Sequence, residues 1–410
     1  MPGFPVTSPS MKDLICVGLI ASLLVSPGAA VIAGGVALAR PFASHMVLPM
    51  AKPVPVWGGA MPGEEVTVAF AGESASVLAD RDGRWQVVLP AMPASAKGRT
   101  LSVTAGRAKV VLDDVLVGRV FLCSGQSNMD FPLSRATGGI EEARTAGKFP
   151  AIRLFNLTGA PTDPRVYDAA TVARLNPFDH FTGSWERSSE KSAAAFSAVA
   201  WWAGKAVHLK DGVPVGLVEN AVGGSGTEAW LASSVLAARR EYADLLDERW
   251  LESPRVSAWA RGRARKNLGA HPEASHPFKP GFLFESGVRV WAGFPFDGVL
   301  WYQGETNAEI DDDAWNRRLI SDLVSGWRKE LRQEKLPFFL VQLPRIGGND
   351  PLRKHWPAYR KDQADVARGL SGVHLVVTAD LGWESPDVHP PDKRPVGMRL
   401  GEAVLKARAR

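Results

Sequence analysis

Between residues 40 and 112 apolar and polar residues alternate in short runs. The segments PVPVWGG (53–59), EEVTVAFAG (64–72), ESASVLAD (73–80), GRWQVVLP (83–90) and RTLSVTAG (99–106) each carry period two and are bounded by Gly, Pro or Asp. Alternate side chains of a strand face opposite sides, so this pattern gives strands with one dry and one wet face. Turn residues recurring about every ten positions join them into a small antiparallel β-sandwich.

From about residue 115 the pattern changes. Continuous apolar runs appear at GRVFLCSG (118–125), AIRLFNL (151–157), VPVGLVENA (213–221), DGVLWYQG (297–304), PFFLVQLP (337–344) and GVHLVVTAD (372–380). Between them lie amphipathic stretches. In 196–212, Phe196, Val199, Ala203 and Val207 recur at helical spacing and Gly212 supplies a stop; in 314–331, Trp315, Leu319, Leu323, Trp327 and Leu331 form one stripe. Strands apolar on both faces and joined by helices predict an α/β domain, a parallel sheet between helical layers. The chain thus divides into residues 1–39, a β-sandwich over 40–112 and an α/β domain over 113–410. Residues 236–290, helix-rich and then loop-like, are expected as an insertion or lid over the sheet's working edge.

Composition changes this picture at the N-terminus. Lys12, an apolar run from Leu14 to Val25, a break at Ser26-Pro27-Gly28 and small residues ending in Ala37-Leu38-Ala39 read as a secretory signal with an A-x-A cleavage site. An uncleaved anchor is the alternative, disfavoured by Pro27 and Gly34-Gly35. A secreted or periplasmic location is the consequence. Cys16 would leave with the signal, so Cys123 has no partner for an internal disulfide. Over the whole chain 45% of residues are hydrophobic and 22% charged, and a net charge of +5 is spread over 48 basic and 43 acidic residues. That is too dilute for a nucleic-acid surface. The run from Arg261 to Lys266 reads as a solvated helix face. No metal or cofactor is implied, because the histidines show no ligand spacing.

In an open parallel sheet, ligands bind beyond the carboxyl ends of the strands. Four loops leave those ends: Gly125-Gln126-Ser127-Asn128-Met129, Gly223-Gly224-Ser225-Gly226-Thr227-Glu228, Gln303-Gly304-Glu305, and a final loop with Asp387 and His389. A serine hydroxyl attacks only when a base takes its proton and donors stabilise the oxyanion. These loops hold a complete set: Ser127 as nucleophile, His389 as base, a carboxylate to orient the imidazole, and donors near Gly224 and Gln303. A helix beginning near Ser127 would add its N-terminal amides.

The blocks GQSNM, GGSGTEAW, WYQGETNA and DVHPPDK…VGMRL, in that order, resemble the sialate O-acetylesterase group of the SGNH (GDSL-like) hydrolases. The segment 45–72 is similar to that group's N-terminal β domain, so the resemblance spans everything past residue 40. It implies a flavodoxin-like three-layer α/β/α domain, no metal, and hydrolysis of O-acetyl esters on sugars. By motif position Ser127 matches the nucleophile, Ser127, Gly223, Gly224 and Gln303 the oxyanion hole, and His389 the base. Gln126, Asn128, Glu228 and Trp383 are then expected to bind substrate.

Two departures matter. The group's D-x-x-H is replaced here by Asp387-Val388-His389, with Pro386 where the aspartate would stand. Asp387 can still meet the imidazole, since alternate residues of an extended segment face one side. Glu305 of the Q-G-E block is the rival orienter, and a dyad oriented by backbone carbonyls is a third arrangement. The second departure, MVLPM in place of a glutamine after the leucine, touches only the β domain. His374 reads as a core histidine; Trp383 and Trp356 are the tryptophans expected to touch a sugar ring. G-x-S-x-G, Walker and H-E-x-x-H signatures are absent from the sequence. The expected activity is a serine esterase acting on acetylated sialic acid. The alternatives are an acetyl xylan or pectin-type deacetylase and, from another class, a non-catalytic glycan-binding protein.

Overall fold

The computed structural model describes residues 35–246, 248–348 and 350–408, and of Glu248 the backbone alone. The greater part of the expected signal, residues 1–34, therefore lies outside the described residues. The first strands are β1 (Ala37–Leu38), β2 (Val47–Pro49), β3 (Val54–Gly59), β4 (Glu65–Phe70), β5 (Glu73–Leu78), β6 (Arg84–Leu89), β7 (Ser95–Ala105) and β8 (Ala108–Gly125). Period two does what it predicts: Val66, Val68 and Phe70 of β4 and Trp85, Val87 and Leu89 of β6 turn into the core. β1, β3 and β6 form one antiparallel sheet, while β4, β5, β7 and the first part of β8 form another.

Strand pairing bears on both expected boundaries. A cut after Ala39 would remove β1, whose Ala37 and Leu38 pair with Gly59 and Gly58. That approach is so close that a Cβ on Gly58 would sit 1.9 Å from the Ala37 carbonyl oxygen. The boundary at 112/113 falls inside β8. At Asp113-Asp114 the strand makes a bulge, with Asp114 at φ 58° and a register shift against β7, and then continues as the same strand. One strand thus belongs both to the β4-β5-β7 layer and to the parallel sheet that follows.

Past the bulge, β8 enters a second layer with β9 (Ile152–Asn156), β10 (Trp185–Arg187), β11 (Val215–Ala221), β12 (Gly298–Tyr302), β13 (Phe338–Val341) and β14 (Val373–Val376). The order is β10-β9-β11-β8-β12-β13-β14, parallel except for β10. Taken in chain order, β11-β8-β12-β13-β14 is the flavodoxin-like arrangement 2-1-3-4-5. β9 and the short β10, which the sequence hides in a loop, extend one edge.

Helices Ala198–Asp211 and Arg394–Arg408 flank the sheet as one crossed pair, and Asp313–Glu330 and Trp356–Gly369 as another. Ser197 and Asp312 cap the first and third by accepting the amides of Ala200 and Trp315, and Gly212 ends the first in a left-handed conformation. The stripe Trp315, Leu319, Leu323, Trp327 is buried as its spacing predicts. In the crossed pair a Cβ on Gly401 would lie 2.8 Å from Ala206 Cβ and 2.9 Å from the Ala203 carbonyl oxygen, so the helices touch backbone to backbone.

Asp114 ties the layers together. Its carboxylate takes hydrogen bonds from Arg153 at 2.6 Å and Arg187 at 2.7 Å, with His45 Nδ1 at 2.9 Å. Burial opposes its ionisation, but these three partners outweigh it and hold the carboxyl well below the usual range. Among the described residues no helix is long and apolar enough to cross a membrane.

Candidate active site

β8 and β12 lie side by side where the strand order reverses, and each is followed by one of the four loops singled out in the sequence. At the end of β8, Gly125 has φ 142° and a Cβ there would lie 2.0 Å from the Tyr302 carbonyl oxygen, so only glycine lets the loops meet. The Gln126 amide donates to that same oxygen at 3.0 Å. The amides of Met129 and Asp130 then donate to the Gln126 carbonyl at 2.8 and 3.0 Å. This is one turn and not the expected helix: Pro132, extended at φ −67° and ψ 144°, ends it. Ser127 stands on that turn, partly exposed.

Ser127 Oγ lies 2.7 Å from His389 Nε2, across 262 positions of sequence. On the far side of the ring, His389 Nδ1 lies 2.7 Å from Asp387 Oδ1, which also accepts the His389 backbone amide at 3.0 Å. The D-x-H spacing thus closes a chain of serine, imidazole and carboxylate. Asp387 is 55% exposed in its side chain and is positioned locally: its amide donates to Ser385 Oγ at 3.2 Å and its carbonyl accepts Trp383 Nε1 at 2.7 Å. Trp383 supports the loop and does not line the pocket.

Glu305, the rival orienter, is not hydrogen-bonded to the imidazole. Only 2% exposed, it accepts Asn128 Nδ2 on Oε1, while Oε2 is buried without a partner among the described residues. Burial pushes its carboxyl up, against the pull of Asn128, His389 and Lys393. Asn128 Nδ2 also donates to the Val388 carbonyl at 2.8 Å, and its Oδ1 accepts Lys393 Nζ. Asn128 therefore fastens the serine loop to the histidine loop from beneath; it is fully buried and does not face substrate.

Gln303 and Glu228 are corrected in the same way. Gln303 donates to Asn307 Oδ1 at 2.6 Å on its own loop and to Gln126 Oε1 at 3.2 Å, and accepts from Thr227 at 2.7 Å, so its amide is spent within and between the loops. Glu228 is buried, with Asn307 Nδ2 on its carboxylate at 2.9 Å. Trp356, expected at a sugar ring, is 2% exposed inside the helix that it begins.

The other expected residues share one pocket of about 450 Å³: Gln126, Ser127, Gly223, Gly224, Glu305 and His389 all line it. Gly223 abuts Ser127, since a Cβ there would meet Ser127 Cβ at 3.5 Å and Asp130 Oδ2 at 3.8 Å. Gly224 has φ 80°, and a Cβ on it would lie 2.5 Å from the Trp259 ring. Glycine is required there twice over, by backbone and by packing.

The sequence reading missed the walls. Trp259 (38% exposed) and Arg263 come from helix Ala258–Leu268, within the segment expected as a lid. The run read as a solvated face thus turns one arginine inward; the i, i+4 spacing of Trp259 and Arg263 was the signal available. Arg263 stands 4.9 Å over the Trp259 ring and donates to the Thr162 carbonyl. Arg135 stands 5.0 Å over Phe131, and Arg353 lies 3.4 Å from Glu309.

Residues 285–406 match the family described as carbohydrate esterase, sialic acid-specific acetylesterase. A sialate O-acetylesterase of Mus musculus is 25% identical over 381 residues, covering 84% of this chain and 68% of the relative. The Homo sapiens protein of that name is 26% identical over 384 residues, covering 84% and 65%. A crystal structure of a carbohydrate acetylesterase from Xanthomonas citri superposes with a TM-score of 0.72 at 29% identity, covering 92% of this chain and 76% of that one. The likenesses are to carboxylic ester hydrolases: the matched family model is a carbohydrate esterase, and the structural neighbour is a carbohydrate acetylesterase. The chain is similar to the sialate O-acetylesterases, as its four motif blocks imply.

Proposed function

We propose that this protein removes acetyl groups from carbohydrate hydroxyls by an acyl-enzyme route through Ser127, His389 and Asp387. The observation that carries the reading is the continuous chain from Ser127 Oγ through the imidazole to Asp387, with 2.7 Å at each step, opening on a pocket. His389 Nε2 takes the hydroxyl proton as Ser127 Oγ attacks the acetyl carbonyl. Asp387 keeps the ring proton on Nδ1, so that Nε2 is free to accept, and stabilises the imidazolium that forms. The oxyanion develops beside the amides of Ser127, Gly223 and Gly224. Collapse breaks the ester C–O bond, and the departing sugar oxygen takes the proton from His389. A water then attacks the acetyl-serine, His389 accepts its proton and returns it to Ser127, and acetate leaves.

The relatives' names support acetylated sialic acid as the sugar. Arg135 and Arg263 on the pocket wall, neither in an ion pair among the described residues, fit the carboxylate of an acidic sugar better than a neutral xylan. Export belongs to the same reading. Residues before Gly35 act as the signal, and the cut precedes β1, whose pairing with β3 the mature protein keeps.

The test compares acetate release from an aryl acetate, O-acetylated sialic acid and acetylated xylan. Ser127→Ala should lower kcat by roughly four to six orders of magnitude with an unchanged melting temperature. Undiminished turnover in that variant would defeat the mechanism. A preference for the xylan would defeat the choice of sugar.

A further inference from the structure

Glu305 is left over once the reacting groups have been assigned. Both imidazole nitrogens of His389 are taken, Nδ1 by Asp387 and Nε2 by Ser127. Yet Glu305 lines the same pocket as Ser127 and His389, on the loop after β12 at the sheet's switch point. Its plane is fixed from behind. Oε1 accepts Asn128 Nδ2, and Asn128 is in turn held by Lys393 Nζ and the Val388 carbonyl.

Oε2 is buried and has no hydrogen-bond partner among the described residues. A buried acceptor left open costs stability unless a ligand brings the missing donor, and native proteins leave few such atoms. Neighbouring Thr306 does not fill the gap: its amide donates to Gln126 Oε1 at 3.3 Å and its hydroxyl to the Gly224 carbonyl at 3.2 Å.

We propose that Glu305 Oε2 is a substrate-binding acceptor, taking a hydrogen bond from a hydroxyl or acetamido N–H that the sugar carries close to its acetylated carbon. This rests on the esterase reading and adds to it. A simple acetate ester has no such donor, so Glu305 separates sugar acetates from other acetates. Glu305 lines the pocket together with Ser127 and His389, which places the donor on the ring atoms next to the scissile ester and not on a distant residue of a glycan.

The experiment uses Glu305→Gln in the full chain. Asn128 Nδ2 still needs an acceptor at Oε1, so the new NH2 is set where Oε2 stood and meets the sugar's donor with another donor. kcat/KM is measured in parent and variant for an O-acetylated sialic acid and for an aryl acetate. The sugar-to-aryl ratio should fall by about tenfold or more, chiefly through KM on the sugar. Analogues of the sugar acetate that each lack one donor should include one that loses about as much in the parent and little further in the variant. An unchanged ratio overturns the inference. So does an equal loss on both esters with a displaced pH–activity midpoint, which would make Glu305 a positioning residue for the imidazole. A parent protein inactive on every acetate would instead remove the esterase reading itself. If Glu305→Gln does not fold, the analogue series on the parent decides alone: no single deletion costing about tenfold would overturn the proposal.

Discussion

At the scale of single residues, the division of labour between two carboxylates governs the site. Asp387 is more than half exposed and reaches the imidazole, whereas Glu305 is buried and reaches Asn128. Asp387→Asn leaves the loop contacts through its backbone in place but favours the wrong imidazole tautomer. It should lower kcat by roughly two to four orders of magnitude, less than a buried aspartate would, because water partly replaces an exposed one. A loss under threefold in steady-state kinetics would mean that the ring is oriented by other groups. Lys393 offers a second test. Burial lowers its amine to about 7, against the attraction of Glu305, Asp387 and Asp392. Between about 7 and the ordinary 10.5 the unfolded chain holds a proton that the folded chain does not, so stability should rise with pH across that window. Relative to Lys393→Met, the parent should gain roughly 1–3 kcal/mol from pH 7 to pH 9 in denaturant titrations. A pH-independent difference would show the amine to be ordinary.

Among the elements, the tightest joint is the crossing of helices Ala198–Asp211 and Arg394–Arg408. Gly397 approaches the Val199 carbonyl oxygen and Gly401 that of Ala203, so that a Cβ would come within 2.8 and 2.9 Å of backbone atoms. Backbone cannot rotate out of the way as a side chain can. Gly401→Val should therefore force the helices apart and cost roughly 1–3 kcal/mol, read as a lower denaturation midpoint. The helix Arg394–Arg408 directly follows the histidine loop, so the same variant should weaken turnover before it unfolds the protein. Unchanged stability would mean that the crossing yields more easily than its contacts imply.

On the scale of the whole molecule, β8 is the spine that the β4-β5-β7 layer and the parallel sheet share, and Asp114 at its bulge is the rivet. Arg153 and Arg187 reach it from β9 and β10, while His45 reaches it from the N-terminal part. Its carboxyl is held below its ordinary value, so its contribution is present above pH 3.8 and lost as pH falls toward the folded value. Asp114→Asn should cost roughly 1–3 kcal/mol at neutral pH, discounted for the exposed Arg187, and should flatten the acid limb of the stability curve. Thermal melts at pH 7 and pH 3.5 check both. A variant as stable as the parent at pH 7, or equally acid-labile, would show that the layers are held by apolar burial alone.

The chain's own pattern determined the elements and their order. Period-two segments became the β layers, apolar runs became the parallel strands, and capped amphipathic stretches became the flanking helices, because burial periodicity is a local property that each segment carries with it. Motif spacing also brought out Ser127, His389 and Asp387, since strand ends in such a sheet converge on one edge. Tertiary structure alone decided which way the loop side chains point. Gln303, Asn128 and Glu228 lie in the same blocks as pocket residues, yet they turn inward to tie one loop to the next. Arg263, in a run that reads as surface, and Trp259 beside it line the pocket that holds Ser127. Nor could the sequence tell that Asp113-Asp114 bends a strand without ending it. In each case the deciding partner lies far away in the chain, and a polar residue's direction is set by the partner that satisfies it.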